Sequence, residues 1–119
     1  MPHQQHMTAE MERCIQHCLD CASMCEQTIM HCLMLGGKHA SAQHIGVMMD
    51  CARICETSAK FMQHQSHFHT RTCAVCAEVC EACAKDCEQM ADGDRTMQVC
   101  ADTCRKCADS CHSMAGATV

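Results

Sequence analysis

Between residues 8 and 115 the apolar and small residues return in alternating steps of three and four, with polar or charged residues between them. That spacing is the stripe of an amphipathic helix, which turns one face to its partners and the other to water. The cysteines draw it most sharply. They stand at 14, 18, 21, 25 and 32, at 51 and 55, at 73, 76, 80, 83 and 87, and at 100, 104, 107 and 111. Breakers at Gly36-Gly37, His64-Gln65-Ser66-His67, Asp92-Gly93 and Gly116 divide the chain into four periodic segments. The pattern predicts helices over 8–35, 41–63, 70–91 and 94–115, with Thr8 and Asp94 as N-caps. Connections this short make successive helices antiparallel neighbours. The expected fold is all-α, one up-down-up-down antiparallel four-helix bundle spanning 1–119 with a cysteine-lined core.

Extending the same frame beyond the cysteines tests it. The stripe takes in Met7, Met11 and Thr28 in the first segment, His44, Met48, Ser58 and Met62 in the second, His69 and Met90 in the third, and Met97 and Met114 in the fourth. Thiols fill the middle, and thioethers and imidazoles fill the ends. The adjoining flank carries Ile15, Ala22, Ile29, Ile45, Ala52, Ala59, Ala77, Ala84, Ala91, Ala101, Ala108 and Ala115, mostly alanine, which lets helix backbones approach closely. Charges such as Glu26, Glu56, Glu81, Lys85, Glu88 and Arg105 fall outside it. In an up-down arrangement one mouth gathers Met7, Met11, Met62, His69 and Met114, with His64 and His67 in the adjacent loop. The other gathers Cys32, His44, Met48, Met90 and Met97.

Composition changes what this core is for. Leu, Ile, Val and Phe together number only 14, whereas 16 Cys and 12 Met place 28 sulfurs in the chain. An ordinary oily core cannot be built from so few large aliphatic residues. The chain has no Trp or Tyr, only 9 Lys and Arg, and a formal net charge of -5, which argues against nucleic acid as a partner. No segment approaches the length of apolar sequence a membrane span needs, and the opening residues lack a secretory-signal pattern. The expected location is therefore the cytoplasm, with no membrane partner. In a reducing compartment this many thiols point to metal rather than to disulfides.

The thiols recur as the pairs Cys14/Cys18, Cys21/Cys25, Cys51/Cys55, Cys76/Cys80, Cys83/Cys87, Cys100/Cys104 and Cys107/Cys111. Residues four apart are neighbours on a helix, and two sulfurs bridged linearly by one ion at thiolate bond lengths sit roughly 4.6 Å apart. A soft ion content with two ligands suits such a pair, and Cu(I) is the physiological candidate. Charge weighs in the same direction. One Cu(I) for each of 16 thiolates leaves no net charge in the core, whereas four Zn(II) tetrathiolates would leave eight negative charges there. Methionine and histidine are weaker, neutral ligands for soft copper. The candidate ligands are thus all 16 cysteines together with Met11, His44, Met48, Met62, His69, Met90, Met97 and Met114. Thr28 and Ser58 are read as small fillers, His3, His6, His39, His64 and His67 as mainly solvated, and His17, His31 and His112 as surface residues off the seam.

The run Cys73-Ala-Val-Cys76-Ala-Glu-Val-Cys80-Glu-Ala-Cys83-Ala-Lys-Asp-Cys87 and the set from Cys100 to Cys111 resemble the copper storage proteins, four-helix bundles with cysteine-lined bores. The resemblance spans nearly the whole chain. It implies that many Cu(I) ions are bound inside each bundle, mainly through thiolate pairs, and that the bundles assemble as homotetramers. The sequence resembles the cytosolic branch, although its second helix carries two cysteines where the others carry four or five. The copper donor and acceptor, a chaperone or an efflux partner, have no signature in the chain. Two rivals share the thiol count. A metallothionein-like zinc or cadmium buffer differs in charge balance and geometry. An iron-sulfur electron carrier would use C-x2-C-x2-C-x3-C-P, whereas the run here has helical spacing and no proline. Neither a Glu-x-x-His di-iron motif nor a strand-associated CxxC occurs, so no enzyme activity is expected.

Overall fold

The computed structural model describes residues 7–116. His3 and His6 lie outside the described residues. Four helices follow in order: α1, Ala9–Leu35; α2, Ala42–Gln63; α3, His69–Met90; and α4, Arg95–Ala115. A single 3-10 turn, Gly37–Ala40, bridges α1 and α2. Each helix packs on its neighbour in the chain, and α4 closes on α1, giving a four-sided bundle.

The helix starts are set by local chemistry. Thr8 Oγ1 accepts from the Met11 amide at 3.0 Å, Ser41 Oγ from the His44 amide at 3.3 Å, and Asp94 Oδ1 from the Met97 amide at 3.0 Å. Each satisfies an amide that a helix's first turn otherwise leaves without a partner. Ser41 therefore caps α2, which begins at Ala42. The third helix begins at His69, one residue before the expected start, and has no side-chain cap. Its entrance is shaped by Ser66 instead, whose hydroxyl accepts from the Phe68 amide at 3.0 Å and whose carbonyl accepts from His69 Nδ1 at 2.8 Å. At the end of α1, Gly36 and Gly37 take φ values of 74° and 59°, a left-handed backbone that stops the helix.

The seams between helices differ in what closes them. Between α3 and α4 the alanines Ala77, Ala84, Ala91, Ala101 and Ala108 are all buried, and the ion pair Arg105–Glu88 (2.7 Å) and the contact His112–Glu81 (3.1 Å) bridge the outer face. Ala22, Ile29, Ala52 and Ala59 are buried on the α1/α2 side. The expected alanine flank thus lies inside the bundle, except that Ile15, Ile45 and Ala115 are half-buried. Ala91 lies just beyond α3 as its C-cap rather than in its last turn. No helix among the described residues is long and apolar enough to cross a membrane.

Candidate metal centre

Every cysteine points into the bore, all 16 are fully buried, and none forms a disulfide. Eleven of the sulfurs make a continuous network. Cys14 and Cys18 lie 3.7 and 3.6 Å from Cys111, and Cys18 lies 3.7 Å from Cys107. From there the contacts run Cys107–Cys55 (3.8 Å), Cys55–Cys80 (3.5 Å), Cys80–Cys51 (3.7 Å), Cys51–Cys21 (3.7 Å) and Cys21–Cys104 (3.7 Å). Cys25 joins through Cys104 at 4.0 Å.

These closest contacts cross between helices, whereas the sequence spacing had suggested pairs along single helices. Only Cys76/Cys80, at 3.9 Å, makes such a contact within one helix. The sulfurs gather into four sets of four: Cys18/Cys76/Cys107/Cys111, Cys21/Cys25/Cys51/Cys104, Cys21/Cys51/Cys55/Cys80 and Cys55/Cys76/Cys80/Cys107. Cys14/Cys73/Cys111 forms a set of three, and within each set the sulfurs lie no more than 4.8 Å apart. The pairs Cys21/Cys25, Cys51/Cys55, Cys76/Cys80 and Cys107/Cys111 fall inside such sets, so a linear two-sulfur bridge is within their reach. Cys32, Cys83, Cys87 and Cys100 belong to none of these sets. The sulfurs cluster compactly across helices, because α4 and α3 bring theirs to the same levels as those of α1 and α2.

Hydrogen bonding inside the network makes its thiols unequal. A sulfur surrounded by S–H donors is stabilised as thiolate, and its donors are then disfavoured as thiolates. Cys107 is lowered to about 7, first by Cys111 and then by Cys18. Cys100 is lowered to about 4 by Cys104 and Cys25. Cys21, Cys76 and Cys83 are also held low, led by Cys104, Cys107 and Cys100 respectively. Cys14 is lowered by Cys111, Cys18 and Cys73, with the Ser110 hydroxyl contributing. In the opposite direction, Cys55 is pushed up by Cys107 and Cys104 by Cys100. Metal ligation by such thiols displaces their protons, so uptake is coupled to proton release.

The two ends differ. At one, Met11, Met62, His69 and Met114 are buried and Met7 is half-buried. The Cys73 thiol donates to Met62 Sδ at 3.7 Å, joining a thioether to the thiols. His69 commits Nδ1 to the Ser66 carbonyl, which places the lone pair of the neutral ring on Nε2. His64 and His67 are exposed on the loop. At the other end, His44, Met48 and Met97 are buried, while Met90 is only half-buried at the rim and its carbonyl accepts from His39 at 3.2 Å. His44 Nε2 lies 3.3 Å from Cys32 Sγ, and its Nδ1 bonds to Asp86.

These features meet the comparison that decides the class: residues 7–116 match the copper storage protein family. The chain belongs to that family. It resembles the Nmul_A1745 protein of Nitrosospira multiformis with a TM-score of 0.83 and 48% identity, over 89% of this chain and 94% of that one. The Cu(I)-bound copper storage protein BsCsp3 of Bacillus subtilis gives 0.83 and 38%, over 90% and 99%. A cytosolic copper storage protein from Streptomyces lividans, in a structure with five coppers, gives 0.84 and 30%, over 92% and 95%.

Within this copper storage bundle, some polar residues take places their spacing did not announce. Asp86, a carboxylate that orients His44, was not among the candidates. Its signal lies in its register, since it takes the α3 flank position that Val79 and Thr72 hold one and two heptads earlier. His31 is half-buried and paired to Asp94 at 2.8 Å, and His17 is half-buried with Nδ1 covered, so only His112 of the three off-seam histidines is exposed. Thr28 donates to the Met24 carbonyl at 2.8 Å as a satisfied filler. Ser58 donates to Thr72 Oγ1 at 3.3 Å and reaches Cys73 Sγ at 3.5 Å.

Proposed function

We propose that this protein stores Cu(I), holding multiple ions in the bore of the bundle on the thiolates of Cys14, Cys18, Cys21, Cys25, Cys32, Cys51, Cys55, Cys73, Cys76, Cys80, Cys83, Cys87, Cys100, Cys104, Cys107 and Cys111. The observation that carries this reading is the overlapping sets of buried thiols in a core where the buried polar side chains among the described residues are Thr28, His44, Ser58 and His69, with no Lys or Arg. Thiolates formed there have no protein cation to offset them, so the bound metal must supply the charge. A monovalent soft ion neutralises them one for one, whereas a divalent ion in a separate tetrathiolate site leaves half of its thiolates uncompensated.

Met11, Met62, His69 and Met114 act at one end, and His44, Met48 and Met97 at the other, as neutral secondary ligands, with Met90 at the rim. Neutral donors hold Cu(I) less tightly than thiolates, which suits transfer into and out of the store. Binding and release, rather than catalysis, is the proposed role. The cytoplasm is the proposed location, in line with the relative described as cytosolic. A homotetramer is the proposed assembly, and the exposed Met30, Leu33 and Met34 of α1 offer apolar surface for it.

Anaerobic loading of reduced protein with an equimolar excess of Cu(I) and Zn(II), then gel filtration and metal analysis, tests the choice of ion. Copper in the protein peak with zinc excluded supports a copper store. Zinc retained in comparable amount would assign a zinc buffer instead.

A further inference from the structure

Ala and Ile close the seam between α1 and α2, Ala closes that between α3 and α4, and Val47, Ile54, Phe61 and Val79 lie between α2 and α3 with Thr72 and Asp86, both of which are hydrogen-bonded to α2. The α1/α4 seam is different. On the flank of α1 that faces α4, His17, Met24 and His31 recur every seven residues, and Thr96, Thr103 and Ser110 recur likewise on α4. All six are half-buried.

His31 is committed to Asp94 at 2.8 Å. His17 is not committed. Its Nδ1 is buried and has no hydrogen-bond partner among the described residues, and its ring lines a shallow groove with Lys106, Asp109, Ser110 and Ser113. A buried nitrogen left without a partner is costly, and one retained in a fold calls for a functional reason. The thiol network lies directly behind this groove. His17 sits between Cys14 and Cys18 in the sequence of α1, Ser110 precedes Cys111 on α4, and the Cys14 and Cys18 sulfurs lie 3.7 and 3.6 Å from that of Cys111.

We propose that the α1/α4 flank is a side port for Cu(I), at which His17 takes the ion from the surface and passes it between the helices to Cys14, Cys18 and Cys111. This rests on the copper-storage reading above and adds a route to it. The copper remains Cu(I) throughout: its bond to the imidazole nitrogen breaks as a bond to a cysteine sulfur forms, and the displaced thiol proton leaves to water. An imidazole is neutral and binds soft copper more weakly than a thiolate, so the transfer runs downhill into the bore. Ser110 and Thr103 are small enough to leave the seam passable.

The test is anaerobic stopped-flow transfer of Cu(I) from its bicinchoninate complex to reduced protein. His17→Ala is expected to slow the initial phase roughly tenfold, the lower end of what losing a metal-orienting group costs, while final capacity and helicity stay unchanged. His17→Met, which keeps a soft donor, should restore most of the rate, and Ser110→Leu, which plugs the seam, should slow it with His17 intact. An unaltered rate in both His17→Ala and Ser110→Leu overturns the side port and leaves the storage reading standing. No uptake by the unsubstituted protein would overturn both.

Discussion

Asp86 on α3 accepts a hydrogen bond from Nδ1 of His44 on α2, and this leaves His44 Nε2 facing the Cys32 thiol at 3.3 Å. A carboxylate that fixes one ring nitrogen determines the tautomer, points the other nitrogen at the metal position and raises its basicity. Asp86→Ala should therefore lower Cu(I) affinity at this end about tenfold while the central thiol sets fill normally. Competitive titration against a chromogenic Cu(I) chelator reads this as weakening of the last ions bound. Equal weakening of all ions would mean that Asp86 acts through the fold.

The sulfur network makes unequal predictions for cysteines that look alike in sequence. Cys55 and Cys107 take part in three of the four-sulfur sets between them, whereas Cys83 and Cys87 take part in none. Replacing Cys55 and Cys107 together by Ser should reduce retained copper more than the Cys83→Ser, Cys87→Ser double variant does. Both should remain helical, because hydroxyls fit the space and bind copper poorly. Copper analysis after gel filtration distinguishes them, and equal losses would show that ions sit on separate pairs rather than in shared sets.

Ala84 and Ala108 are buried on the tight α3/α4 seam, with 0% and 1% of their surface exposed. A larger side chain there must push the helices apart. Ala84→Leu should destabilise the apo bundle by about 1–3 kcal/mol, measured by thermal unfolding. The same change at exposed Ala74 should have little effect.

Cys32 is raised from 9.0 to about 11, first by burial and then by the negative charge of Asp94 and its neighbours. The fold thus prefers this thiol neutral. Its contribution to stability is complete below pH 9, where the unfolded chain also keeps the proton, and is lost as pH rises to about 11. In melts of reduced apo protein, the stability difference between the unsubstituted chain and Cys32→Ser should shift against the cysteine across that window. A difference that stays flat would contradict the assignment.

The four helices and their phase were legible because thiols, thioethers and alanines repeat in one register through Cys14–Cys25, Cys73–Cys87 and Cys100–Cys111, and no other structure keeps that period on one face. The caps Thr8 and Asp94 were legible for the same local reason. The cross-helix sets were not, since spacing along one helix says nothing of the level at which Cys80 meets Cys51 and Cys55. Asp86 escaped because a lone carboxylate on a flank looks solvated until its partner on another helix is known. His17 and Met90 are both half-buried, where their positions off and on the seam suggested an exposed and a buried residue, since burial at the edge of a seam depends on how closely two particular helices approach.

Binding of copper inside the core also ties metal to folding. Ions held only by the folded chain add stability with their free concentration, so full loading should raise the melting temperature. An unchanged melting temperature at full loading would place the ions outside the bore.

The most direct measurement is an anaerobic titration of Cu(I) into reduced protein in competition with a chromogenic Cu(I) chelator, followed by gel filtration and copper analysis of the protein peak. Sixteen buried thiols, twelve of them in clustered sets, predict tight retention of about ten or more ions per chain. Retention of about four or fewer, the number that separate tetrathiolate sites would hold, with zinc bound as tightly, would contradict a Cu(I) store.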